Sequence, residues 1–332
     1  VSILKEAGIR RGFGVPSGNV LPLMEAMRAG DIDFVLTAHE GSAGFAADVT
    51  ARVTGIPGLA IATLGPGATN LATGVGCAYL DRSPLIAITC TLNEAQLGRR
   101  IQMWIDHQTL FKPITKASLV LRRDNVAATI DEALRIATTE PVGPVHLDLP
   151  EDVALAEALP SSRNHPRARP PSNEDCTNRP APASLERAIQ ILKGAKRPVA
   201  VIGASAMRMR SPERLRAFVE RHRIPFATTT MAKGLIDESH PLSIGCIERA
   251  RRQLQRRFIH GNADLVIGLG YDTIEVEYEA WTGTLPVLHV DIERADVDPT
   301  VNIAHEVIGD LDGTVGALAQ GSSIENAWSE AA

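Results

Sequence analysis

Two successive rhythms of short apolar runs and longer helical patterns constrain this chain more than any other feature. Apolar runs close at Gly12–Val15, Phe34–Thr37, Gly58–Thr63, Leu85–Thr89 and Pro144–Leu149. Between them lie stretches with helical spacing, over Val20–Ala29, Ser42–Thr54, Thr69–Tyr79 and Asn125–Thr138. Strands that alternate with helices imply a parallel sheet covered on both faces. The rhythm stops at about residue 156, where Pro160, Pro166, Pro170, Pro171, Pro180 and Pro182 sit among Ser, Asn and Arg. Proline removes donors and blocks helix, so this stretch reads as a linker. A second rhythm follows: a helix over Leu185–Lys193 with Ser184 as its N-cap, a strand over Pro198–Ile202 and a helix over Pro212–Arg221. Further strands are expected at Pro225–Thr229, Ala263–Leu269 and Pro286–Asp291, and a last helix near Thr314–Leu318. The fold class is therefore α/β, with two doubly wound parallel-sheet domains joined by a Pro-rich linker. The expected boundaries are 1–155 and 184–320, with a linker at 156–183 and a tail at 321–332.

Composition narrows the function classes. The chain has 332 residues, enough for two domains of ordinary size with a core each. Its formal net charge of -5 points to neither nucleic acid nor an anionic membrane as partner. Five arginines between Arg249 and Arg257 read as the solvated face of a helix. No run of about 18 apolar residues is present, so no membrane-spanning helix is expected. Cys77, Cys90, Cys176 and Cys246 form no CxxC pair and lie at no metal-ligand spacing, which fits free thiols in a reducing cytoplasm. The sequence opens on Val1, with Leu4 and Ala7 running to Gly8 as if entering partway through a helix, and a short preceding piece is expected.

Five segments are candidates for chemistry. His39-Glu40-Gly41-Ser42-Ala43-Gly44-Phe45-Ala46-Ala47-Asp48 lies where a strand gives way to a helix, the edge at which open parallel sheets bind ligands. Taken alone, Glu40 is first a helix cap or salt-bridge partner, because a helix N-terminus favours a carboxylate. Gly65-Pro66-Gly67-Ala68-Thr69-Asn70 imitates a dinucleotide fingerprint, with Asn70 in place of the third glycine and Pro66 removing a donor. By itself it is either a structural turn or a ligand loop. Gly14-Val15-Pro16-Ser17-Gly18 is a sharp turn. Asp106-His107-Gln108-Thr109-Leu110-Phe111-Lys112-Pro113-Ile114-Thr115-Lys116 and Gly143-Pro144-Val145-His146-Leu147-Asp148-Leu149-Pro150 complete the set.

In this order and at these spacings, the five segments resemble the pyrimidine-binding domain of thiamine-diphosphate-dependent enzymes of the acetolactate synthase and pyruvate oxidase family. Lys196-Arg197-Pro198-Val199, the run Lys233 to Leu242, Ala263-Asp264-Leu265-Val266-Ile267-Gly268 and His289-Val290-Asp291-Ile292 are similar to that family's middle domain. The resemblance extends to about Leu318. It implies a carboligase or decarboxylase acting on a small 2-oxo acid, with Glu40 as the acid that meets N1′ of the cofactor's aminopyrimidine. Pro16, Gly65, Pro66, Gly67 and Asn70 are implied to lie beside that ring. His39 is implied either to line the reaction pocket or to be a structural histidine, and Lys116 either to face the substrate channel or to be solvated. His107 stands where glutamine is often found, and Met103-Trp104 where a Gln-Glu pair is found in several synthases, which bears on substrate choice.

The resemblance further implies a homodimer or homotetramer with thiamine diphosphate between subunits. Mg²⁺ and the diphosphate are implied to be held by a domain with a GDG motif, which this sequence does not contain; Gly309-Asp310-Leu311-Asp312-Gly313 is not that motif. No metal ligands are assigned within the chain. FAD is not favoured, because Gly203-Ala204-Ser205 replaces a more glycine-rich turn and Tyr271-Asp272-Thr273-Ile274-Glu275 looks like flavin-free synthases. The alternative is a non-catalytic nucleotide-binding or regulatory protein that keeps the fold. A dinucleotide-dependent oxidoreductase is disfavoured, since no strand leads into a true G-x-G-x-x-G.

Overall fold

In the computed structural model the described residues are 1–157, 179–248, 252–321 and 323–330. The chain divides into two compact units, Val1–Ser172 and Asn173–Ala332. The expected linker falls, from 158 to 178, outside the described residues, as do Arg249 and Arg251 of the arginine run.

The first unit contains α1 (Ser2–Glu6), β1 (Arg11–Gly14), α2 (Leu21–Ala29), β2 (Asp33–Leu36), α3 (Glu40–Thr54), β3 (Gly58–Ala62), α4 (Pro66–Leu80) and β4 (Leu85–Thr91). It continues with α5 (His107–Phe111), β5 (Ala117–Val120), α6 (Val126–Thr138), β6 (Val145–Pro150) and α7 (Glu151–Leu155). All pairings are parallel, in the order β2-β1-β3-β4-β6-β5. The strands β3, β4 and β6 are buried at every position; β3 is apolar throughout, while β4 and β6 carry buried Thr89, Thr91, His146 and Asp148 towards their carboxyl ends. The two faces of this sheet are packed differently. On one, large aliphatic residues such as Leu59, Ile61, Ile86 and Leu147 meet Leu4, Met27, Ile130 and Leu134. On the other, Ala60, Ala62 and Ala87 meet Ala47, Ala68, Leu71, Val75 and Ala78. Small side chains there let α3 and α4 lie close to the sheet and to each other. Strand order reverses between β1 and β3, so the ligand crevice belongs outside their carboxyl ends.

The second unit contains α8 (Pro182–Gly194), β7 (Pro198–Ile202), α9 (Glu213–His222), β8 (Phe226–Thr229), β9 (Ser243–Ile247), α10 (Arg252–Asn262), β10 (Leu265–Leu269), β11 (Val287–Asp291), β12 (Ile303–Ile308) and α11 (Leu311–Gln320). Its sheet is also parallel, ordered β12-β11-β10-β7-β8-β9, with its reversal between β7 and β10. Residues beyond α11 pack onto this unit. Ile324 is buried in its core, Asn326 donates to the His222 carbonyl and the Trp328 indole donates to the Pro198 carbonyl.

Several expectations change. Ser184 is not an N-cap: α8 starts at Pro182, and the Ser184 hydroxyl donates to the Glu306 carbonyl of β12 at 2.9 Å. Both α3 and α4 begin earlier than expected, at Glu40 and Pro66. β5, β9 and β12 were not expected; all three are sheet edges, where partial burial relaxes the demand for an apolar run.

Candidate active site

The site begins with a close approach of two helices. A Cβ placed on Gly74 of α4 would lie 2.6 Å from the Gly44 Cα of α3, and one on Gly44 would lie 2.7 Å from the Gly74 Cα. Backbone therefore meets backbone, and the first turns of the two helices become neighbours. Glu40 is the first residue of α3, is 8% exposed, and accepts a hydrogen bond at Oε2 from the Asn70 side-chain amide of α4 at 3.0 Å. His39, the N-cap, is solvent-exposed, and its Nδ1 accepts the Gly41 amide at 3.0 Å.

The Gly65–Asn70 segment wraps the other side of that carboxylate. Gly65 has φ of 59°, and any side chain on it would collide with the Met103 carbonyl. Its amide donates to His107 Nε2 at 3.1 Å. Pro66 opens α4, where its missing N–H costs nothing because no helical acceptor precedes it. At Gly67 a Cβ would sit 2.8 Å from Thr63 Cγ2 and 3.3 Å from Glu40 Oε1, so only a glycine lets the turn pass this close to the carboxylate. Two buried hydroxyls in the turns that follow β1 and β3, Ser17 Oγ and Thr63 Oγ1, have no hydrogen-bond partner among the described residues. Buried polar groups are normally satisfied. A close-passing glycine turn, a buried carboxylate and two unsatisfied hydroxyls at the topological switch point fit a flat, nitrogen-rich ring such as an aminopyrimidine.

The structure brings Glu40, Gly67 and Asn70 together, and ties Gly65 to His107. Pro16 is exposed in the turn after β1, at the same carboxyl edge. Lys116 is placed elsewhere. It precedes β5 at the amino edge of the sheet, and its ammonium donates to the Ile136 and Thr139 carbonyls at 2.5 and 2.6 Å, capping the C-terminus of α6. Sequence reasoning placed Ser17 and Asp148 in candidate segments without singling them out, and did not consider Thr63 or Thr89. The signal for Asp148 was two polar side chains, His146 and Asp148, at alternate positions of a strand with no exposed residue.

Two clusters of possible metal ligands occur among the described residues. In Asp48, Cys77 and Asp81, the carboxylates already share Arg52 at 3.4 Å each. Burial and the neighbouring Asp81 and Asp48 push the Cys77 thiol up to about 11, which disfavours the thiolate a metal would need. In His107, His146 and Asp148, the ligand atoms converge on the Thr89 hydroxyl, which bonds to all three.

The second unit's switch point is closed. A Cβ on Gly203 would lie 2.5 Å from the Tyr271 Cα, and the Ser205 amide donates to the Gly270 carbonyl at 3.0 Å. The Glu275 carboxylate accepts the amides of Ala204 (2.8 Å) and Met231 (3.3 Å), which follow β7 and β8. An internal carboxylate thus occupies backbone donors of the kind that bind a dinucleotide's phosphates elsewhere. These residues do not fit a flavin or ADP pyrophosphate.

Two family models cover most of the chain: the thiamine pyrophosphate enzyme N-terminal TPP-binding domain over residues 1–110, and the thiamine pyrophosphate enzyme central domain over residues 185–318. The chain belongs to the thiamine pyrophosphate enzyme family. Within it, the chain is similar to acetolactate synthases. It is 33% identical over 302 residues to a probable acetolactate synthase large subunit of Methanococcus aeolicus, covering 90% of this chain and 50% of the relative. To the acetolactate synthase of Arthrospira platensis it is 32% identical over 342 residues, covering 96% and 57%. To the acetolactate synthase large subunit of Corynebacterium glutamicum it is 32% identical over 343 residues, covering 99% and 53%. The chain spans about half the length of these curated relatives. No helix among the described residues is long and apolar enough to cross a membrane.

Proposed function

We propose that this chain supplies the pyrimidine side of a thiamine-diphosphate site in an acetolactate-synthase-like carboligase or decarboxylase that acts on a small 2-oxo acid. The observation that carries the reading is the buried Glu40 carboxylate, held by Asn70 on one oxygen and approached closely by Gly67 at the other. When bound, thiamine diphosphate supplies a nucleophilic C2 carbon and an electron sink for decarboxylation. The chain's own part would be to present Glu40 Oε1 as the carboxyl oxygen that shares a proton with a nitrogen of the ring. Asn70 fixes the carboxyl plane, because its amide can donate to Oε2 only in one orientation. Burial among Gly67, Thr63 and the α3–α4 contact keeps water from competing for that proton. Pro16 and Gly65–Gly67 would form the walls around the ring, with His39 at the exposed rim.

The same reading places Mg²⁺ and the diphosphate on residues outside this chain's assigned site. It also implies a homodimer or homotetramer with the cofactor between subunits, and a cytoplasmic location in keeping with its biosynthetic relatives. The test is an assay of the assembled protein against a panel of 2-oxo acids with thiamine diphosphate and Mg²⁺. The expected result is cofactor-dependent release of carbon dioxide, with or without a carboligation product. Turnover that is independent of added thiamine diphosphate in cofactor-stripped protein would overturn the proposal.

A further inference from the structure

His107 is 2% exposed, and its two ring nitrogens face groups that leave it one protonation pattern. The Gly65 amide can only donate, so Nε2 must carry a lone pair. A neutral ring then has its proton on Nδ1, which donates to Asp148 Oδ1 at 2.7 Å. The same oxygen accepts the Thr89 hydroxyl at 2.5 Å. Thr89, having spent its proton, accepts from His146 Nε2 at 2.7 Å, and His146 Nδ1 accepts the Ser118 hydroxyl at 2.7 Å. Gln108 donates to the second Asp148 oxygen at 3.2 Å. Every donor in this chain, from Ser118 and from Gly65 inward to Asp148, meets an acceptor in one consistent sense. Burial holds His146 down to about 4, which keeps it neutral. Burial alone would raise Asp148, but its hydrogen bonds from His107 and Thr89 work against that, and it lies below the usual carboxylate range.

We propose that His107 is a positioning residue of the pyrimidine site. Its imidazole, fixed as the Nδ1–H tautomer by Asp148, anchors the Gly65 amide and so holds the Gly65–Gly67 turn against Glu40. This deepens the thiamine-diphosphate reading and rests on it for its catalytic consequence. The geometry also says which substitute works. A glutamine can accept from Gly65 with its carbonyl and donate to Asp148 with its amide, whereas a leucine of similar bulk can do neither.

The experiment has two arms on the intact chain. Long-range ¹H–¹⁵N spectra of the ¹⁵N-labelled protein should show His107 protonated at Nδ1 and bare at Nε2. Amide hydrogen exchange at Gly65 should be slow in the parent, roughly tenfold faster or more in His107→Leu, and restored in His107→Gln, in line with loss and recovery of one buried hydrogen bond. An Nε2–H tautomer, or Gly65 protection unchanged in His107→Leu, would overturn the proposal. If the leucine variant does not fold, the parent's tautomer and the glutamine variant still decide. In the assembled holoenzyme, exchange of the cofactor's C2 proton should slow in His107→Leu and recover in His107→Gln. Glu40→Gln is run in parallel: if it slows C2 exchange while His107→Leu does not, the positioning role alone fails. If Glu40→Gln has no effect, the cofactor reading fails, and the tautomer result still judges the anchor.

Discussion

Replacing Gly74 by alanine tests the α3–α4 contact on which the site is built. The new Cβ would lie 2.6 Å from the Gly44 Cα, and that neighbour is backbone, which cannot swing aside. Carbon contacts are comfortable from about 3.5 Å, so the helices must part by roughly 0.9 Å. The Asn70–Glu40 bond, now 3.0 Å, would stretch beyond hydrogen-bonding range. Overpacking of this kind costs about 1–3 kcal/mol. Losing the Asn70–Glu40 hydrogen bond adds ~1 kcal/mol, and alanine's better helix propensity returns about 1 kcal/mol. The net loss is ~1–3 kcal/mol, which lowers Tm by about 3–10 °C for a unit of this size. Gly76 in the same helix is the control, because a Cβ there meets only Ile114 Cγ2, at 3.8 Å. Gly76→Ala should raise Tm by ~2 °C through propensity alone. Thermal unfolding followed by circular dichroism reads both. A Gly74→Ala protein that melts as high as Gly76→Ala would refute the reasoning.

Other outcomes follow from single contacts. Lys116→Met removes two bonds and a favourable charge at the end of α6 and should cost ~1–2 kcal/mol by chemical denaturation, while C2 proton exchange stays at the parent rate. Glu275→Ala leaves the Ala204 and Met231 amides without that acceptor and should destabilise the second unit by ~2 kcal/mol; titration calorimetry of the parent with FAD or ADP should give no binding heat. Burial raises the Asp291 carboxyl from 3.8 to about 7, so the folded form binds a proton that the unfolded chain releases. Its stabilising contribution is complete below pH 3.8 and is lost as pH rises to about 7. Asp291→Asn should flatten that fall in denaturation midpoints measured across the range.

Much of the fold was legible because both sheets are parallel and buried. A strand covered on both faces, such as Gly58–Ala62, favours a continuous apolar run, and such runs are visible in one sequence. The edges β5, β9 and β12 carry Ser118, Gly245 or His305 and Glu306, and no local pattern separates them from loops. In the site, Glu40 and the Gly65–Asn70 turn could be found because each is a contiguous motif at a strand's end. Thr89, Asp148 and His107 are brought together only by the register of β4 with β6 and the placement of α5, information spread over about a third of the first unit. The role of Lys116 was hidden for the same reason: its partners, Ile136 and Thr139, are chosen by how α6 packs.

Deuterium exchange at C2 of thiamine diphosphate, followed by NMR in the assembled protein and its Glu40→Gln variant, bears most directly on the reading. Loss of a positioned acid–base group costs ~10²–10⁴-fold in rate, and exchange should slow by that order while the variant still binds the cofactor. Exchange at the parent rate in Glu40→Gln would contradict the assignment.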